Sequence, residues 1–194
     1  MSQPEDTSVQ CRLLTVRSRT VFVRQRYGDE GYARYRAAAS AALGALLDDP
    51  GQPDRTWIPF ELMVESTTLV DQLFGTGDLS LARELGYFSS TTNAGPWKTW
   101  ALRHVPVTVV MQLAASVWRH YYSHGRFVIR PSGDAMLGTV EGFPAIHRAH
   151  CLVIVGWLYG IVEMGPRKNI VVEELSCRAL GDSSCAMRTS WDRA

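Results

Sequence analysis

The sequence predicts an α+β fold, with an antiparallel sheet packed against helices. Three observations lead there. Apolar residues recur at helical spacing along most of the chain before Gly125, the period changes from about 3.6 to 2 after it, and two short β-branched runs each fold back through a turn-rich loop.

Met1 to Ser8 is polar and acidic and is expected to lack regular structure. Val9 to Tyr27 mixes β-branched residues with arginines and predicts a short strand leading into a helix. Asp29 to Leu47 is alanine-rich, with Tyr32, Tyr35, Leu43 and Leu46 near helical spacing, and reads as one helix. The stretch 48–54 then stops it. It divides an N-terminal helical segment, residues 1–50, a dimerisation element or appendage, from a main domain over 54–194.

Trp57-Ile58-Pro59 is expected to open the next helix, with proline in its first turn, and Phe60, Met63, Val64, Val70, Leu73 and Phe74 supply its apolar stripe. Asp78 suits the N-cap of a helix carrying Leu79, Ala82, Leu85 and Phe88. Val107 to Tyr122 is a further amphipathic helix. Beyond Gly125, Phe127 to Ile129 and Met136 to Val140 form a hairpin through Pro131-Ser132-Gly133-Asp134. Ala145 to Met164 returns to helix, with Cys151, Val155, Leu158 and Val162 on its inner face, and Ile170 to Cys177 with Cys185 to Trp191 form a second hairpin.

The composition, 46% hydrophobic and 20% charged over 194 residues, is that of an ordinary soluble globular protein. A formal net charge of +1 gives no footprint for nucleic acid or an anionic membrane. Seven arginines between Arg12 and Arg36 are read as a solvated helix face, or a partner-binding one. No apolar run reaches the roughly 20 residues of a membrane span, and no signal peptide is visible, so the expected location is the cytoplasm with reduced thiols.

Three of the four cysteines lie near the C-terminus, and Glu174 stands three residues before Cys177. Cys151, Cys177, Cys185 and Glu174 have the donor types of a tetrahedral zinc shell. The simpler alternative is that the cysteines are small buried hydrophobes. Side chains alternate along a strand, so Glu174 shares a face with Cys177 only where the strand bulges or ends near Leu175.

The run Cys151 to Gly160, followed by Glu174-Leu175-Ser176-Cys177 and on to Cys185, resembles the end of the 4-vinyl reductase domain, a family that includes phenol-sensing regulators. Upstream, Trp57-Ile58-Pro59-Phe60 to Gly75, then Gly77-Asp78-Leu79 and Arg83-Glu84-Leu85-Gly86, resembles stand-alone bacterial proteins described as 4-vinyl-reductase-like or heme-nitric-oxide-binding-like. The resemblance implies an α/β sandwich and a structural zinc on Cys151, Glu174, Cys177 and Cys185. It does not carry over phenol recognition, because no tryptophan stands between Arg126 and His150.

Seven aromatics fall between Tyr87 and Tyr122. They are read as core and dimer-interface residues or as a hydrophobic ligand pocket, whose residues would be Trp97, Trp100, His104, Trp118 and Tyr122. The segment Arg119 to Arg126 is similar to the tyrosine-x-serine-x-arginine signature that holds heme propionates in gas sensors. Counted from Tyr121, however, the arginine position is Gly125, and His104, the axial candidate, sits too close in sequence. Heme is therefore expected to be unlikely, and zinc the cofactor. Glu141, Glu163 and the five histidines show no nucleophile–base arrangement, so no enzyme is expected. The expected function is a homodimeric sensor or adaptor for a small hydrophobic ligand or a protein partner, signalling through a separate effector. The alternatives are a ligand-free interaction module and a heme gas sensor.

Overall fold

The computed structural model describes residues 8–92, 100 and 104–192. Strand β1 (Gln10–Arg12) pairs antiparallel with β2 (Trp57–Pro59), Cys11 facing Ile58. Trp57-Ile58-Pro59 is thus a strand and not the expected helix start. Ile58 is buried in the core, while Trp57 lies outside under the Arg12 guanidinium, 3.5 Å from its ring centre. That alternation is strand-like, and Pro59 is the extended residue preceding helix α3 (Phe60–Phe74).

Helix α1 (Leu14–Ala38) is broken at Gly28, where φ is +68°. A separate helix α2 (Ala41–Asp48) starts where the Ser40 hydroxyl accepts the Leu43 N–H at 3.1 Å. The helix expected over Asp29 to Leu47 is therefore two. Helix α4 (Ser80–Thr92) is capped from a distance. The Asp71 carboxylate, buried on α3, accepts the N–H groups of Leu79 and Leu81 at 2.9 Å each, and Asp78 accepts that of Ser80 at 2.8 Å. These bonds satisfy donors that the first turn leaves orphaned.

Helices α5 (Val107–Ser116) and α6 (Trp118–Tyr121) lead into β3 (Arg126–Ser132) and β4 (Ala135–Glu141), joined at Gly133, φ +62°. Helix α7 (Arg148–Glu163) follows, then β5 (Lys168–Ser176), a 3-10 turn (Arg178–Leu180) and β6 (Cys185–Asp192). The four strands form one antiparallel sheet in the order β3-β4-β6-β5. The α+β class with an antiparallel sheet on helices is as the sequence predicts. Among the described residues no helix is long and apolar enough to cross a membrane.

Helix α7 is buried on almost every side, between α4 and the sheet. It meets α4 backbone to backbone. A Cβ on Gly86 would collide with the Val153 carbonyl, and one on Gly156 with the Arg83 carbonyl. Neither neighbour is a flexible side chain that can swing aside, so Gly156→Ala forces the helices apart. The expected cost is roughly 3 kcal/mol, or about 6–12 °C in Tm. Gly51→Ala, whose added methyl meets only a side-chain oxygen at 3.5 Å, leaves the melt unchanged and serves as the control. A Gly156→Ala melt equal to wild type would contradict this packing.

Candidate functional site

The first turn of α7 points Cys151 at the sheet end where β5 finishes and β6 begins. The β5–β6 register slips between Glu174 and Ser176, the bulge that the spacing required near Leu175. Cys151 Sγ then lies 3.5 Å from both Cys177 Sγ and Cys185 Sγ, and all three sulfurs are buried within 4.8 Å of one another. The connecting loop is tied down by Asp182, which accepts the Cys177 N–H at 2.7 Å, and turns at Gly181, φ +97°. The Arg178 N–H donates to Cys185 Sγ at 3.4 Å. Burial, and then the two neighbouring thiols, push the Cys151 thiol well above its ordinary pKa.

Glu174 stands beside this cluster without joining it. Its Oε2 accepts from Arg148 Nη1 at 2.6 Å, while its Oε1 is buried and has no hydrogen-bond partner among the described residues. A tetrahedral zinc with Zn–S bonds near 2.3 Å sets its sulfurs about 3.8 Å apart. The sulfur spacing fits such an ion, and the orphaned Oε1 is a donor without an assignment.

The second feature is a cavity of about 70 Å³ between α1 and α7. Trp118 and Tyr122, two of the expected ligand residues, line it, together with Thr15, Ser18 and Arg19 from α1 and Val153, Ile154 and Trp157 from α7. Trp100 and His104 are not among its lining residues. They are exposed and stack on each other at 4.7 Å. Trp97 lies outside the described residues. His104 Nδ1 is 2.8 Å from the Trp100 carbonyl oxygen. A carbonyl only accepts, so Nδ1 carries the hydrogen and Nε2 is the ring nitrogen left to act as a ligand.

Sequence reasoning missed two buried groups here. Arg19, 2% exposed, donates Nε to Thr67 Oγ1 at 3.1 Å and Nη1 to the Thr15 carbonyl at 2.6 Å, with Nη2 against Met63 Sδ at 3.5 Å. No carboxylate pairs with it among the described residues. Burial lowers its pKa from the ordinary arginine value. His150 sits in a box of Phe60, Phe143, Tyr122 and Trp118, with ring centres 5.0 to 5.7 Å away. Its Nε2 has no partner among the described residues, and burial, then the Arg19 charge, pull its pKa down to about 3, so the ring is neutral. The other six arginines of the Arg12–Arg36 stretch lie at or near the surface, which is why their sequence context hid Arg19.

No family model and no curated protein matches the chain by sequence. Solved structures of H-NOX domains do match its fold. A triple mutant of an S. oneidensis H-NOX protein in the Fe(II) state is similar with a TM-score of 0.71 at 13% identity, over 94% of this chain and 96% of that one. An unliganded Fe(II) H-NOX mutant from K. algicida gives 0.64 at 8% identity, over 94% and 97%. An oxygen-binding H-NOX domain related to soluble guanylate cyclases gives 0.57 at 14% identity, over 92% and 93%. The expectation that heme is unlikely is thereby corrected, because the domains sharing this fold from end to end are heme-binding domains. The chain has the fold of H-NOX domains.

Proposed function

We propose that the chain is a non-catalytic sensor domain that holds heme through His104 and responds to a diatomic gas. Two observations support this reading. The likeness to H-NOX domains runs over nearly the full length of both chains. The donor chemistry of His104 also fits, since a ring N–H held by a backbone carbonyl is the usual state of a metal-binding imidazole. His104 leads into α5 and α6, and α6 supplies Trp118 and Tyr121 to the cavity, so iron ligand and pocket wall would share one stretch of chain. The walls are mostly apolar and aromatic, as a macrocycle's faces require. Heme, when bound, supplies an iron coordination site for the gas.

The present cavity, about 70 Å³, has room for a few waters and must widen to take a macrocycle. That size favours a second reading, a heme-free sensor for a small molecule held by the same walls. The two separate in one preparation. Protein expressed with a heme precursor is expected to show a Soret band at about one heme per chain. His104→Ala is expected to lose most of it and to regain it with added imidazole. A colourless wild type after reconstitution contradicts the heme reading, and a co-purifying small ligand in native mass spectrometry would then support the second.

We also propose that Cys151, Cys177 and Cys185 hold a zinc ion, with Glu174 contributing its unpartnered Oε1 while Arg148 keeps Oε2. Four protein ligands leave no open position for water, so the metal would be structural and would fasten the β5–β6 hairpin to α7. Metal analysis is expected to give near-stoichiometric zinc, and Cys177→Ala to lose it with a fall in Tm of roughly 10 °C. A metal-free wild type whose melt ignores a chelator contradicts the assignment.

A further inference from the structure

We infer that Arg19 anchors a binding site for a compact planar oxyanion, of the carboxylate or nitrite type, in the cavity beside Trp118. This goes beyond the heme reading and concerns the heme-free chain, whose cavity has its present size.

The charge itself is the first argument. A guanidinium 2% exposed has left water, and burying a charge is costly unless something pairs with it. The groups facing Arg19 do not supply that charge. Thr67, Thr15 and Met63 are neutral contacts. Cys11, Tyr35 and Tyr122 stay protonated at neutral pH, because burial pushes Cys11 up to about 11, Tyr35 up to about 12 and Tyr122 higher still. Among the described residues no carboxylate pairs with this arginine, so its charge is balanced by an anion from outside.

The donors are the second argument. A guanidinium has five N–H groups in a rigid fork. Among the described residues Arg19 places one on Thr67, one on Thr15 and one against the Met63 thioether. A thioether is a weak acceptor, so that donor is readily redirected, and two more remain. A planar anion with two oxygens takes such a fork as a bidentate pair.

Size completes the assignment. About 70 Å³ accepts only a few non-hydrogen atoms, and the indole and phenol rings of Trp118, Trp157 and Tyr121 form the walls. Formate, acetate and nitrite meet both conditions.

The test is a thermal melt with a tryptophan fluorescence titration, adding formate, acetate or nitrite to the purified chain at ionic strength held constant with chloride. A saturable rise in Tm and a fluorescence change at millimolar anion are expected. Arg19→Met, which removes the buried charge at similar volume, is expected to abolish the response, and Arg19→Lys to weaken binding about tenfold by losing the fork. The inference fails if chloride gives the same response as the planar anions, or if Arg19→Met responds like wild type. Should the variants not fold, calorimetric titration of wild type decides, since absence of saturable heat with all three anions overturns the site.

Discussion

The close approach of α4 to α7 through Gly86 and Gly156 is the constraint on which the other features depend. Two helices whose carbonyls lie where a methyl group would stand have no freedom to slide. Helix α7 is therefore fixed as a spine, and three chemically distinct groups are placed from it. Its first turn presents Cys151 to the hairpin sulfurs and His150 to the aromatic box, and its next turns present Val153, Ile154 and Trp157 to the cavity. The cysteine cluster and the cavity are thus neighbours along one rigid rod. A change that widens the cavity and moves α7 would be felt at the sheet.

The interior around the cavity breaks the rule that buried polar groups are satisfied. Arg19 lacks an anion among the described residues, and the buried nitrogen His150 Nε2 lacks a partner there. Several helix ends and loops meet the rule through side-chain caps. Asp71 caps α4 from another helix, Ser40 caps α2, and Asp182 closes the loop between the two hairpin cysteines. Buried atoms without a partner also occur away from the cavity, at Gln52 Oε1, Arg167 Nε, Glu174 Oε1 and Thr189 Oγ1, so what sets the cavity apart is the buried charge of Arg19.

The sheet was legible because its signals are local. Gly133-Asp134 and the β-branched runs around it define one hairpin, and Cys177 to Cys185 spans the loop of the other. The cysteine cluster was legible from the same spacing, down to the bulge before Ser176. What escaped depends on distant partners. Three residues cannot announce β2 when Trp57-Ile58-Pro59 also suits a helix start, and only β1, far back in the chain, settles it. Arg19 resembles its six surface neighbours in the sequence, and only the packing of α1 on α3 buries it. His150 is equally silent, because an imidazole beside Cys151 has no local mark of the rings that enclose it.

Heme was set aside on the failed spacing from Tyr121 to Gly125, a local signature, whereas the fold that argues for it emerges only from the whole chain. Fold at low identity persists after individual anchors are lost, so the cofactor has to be decided by binding. The most direct measurement is a titration of hemin into the heme-free chain, followed by quenching of the cavity tryptophans Trp118 and Trp157. The account predicts saturation at one equivalent. Quenching that rises without saturation, equal to that of free tryptophan, would contradict it.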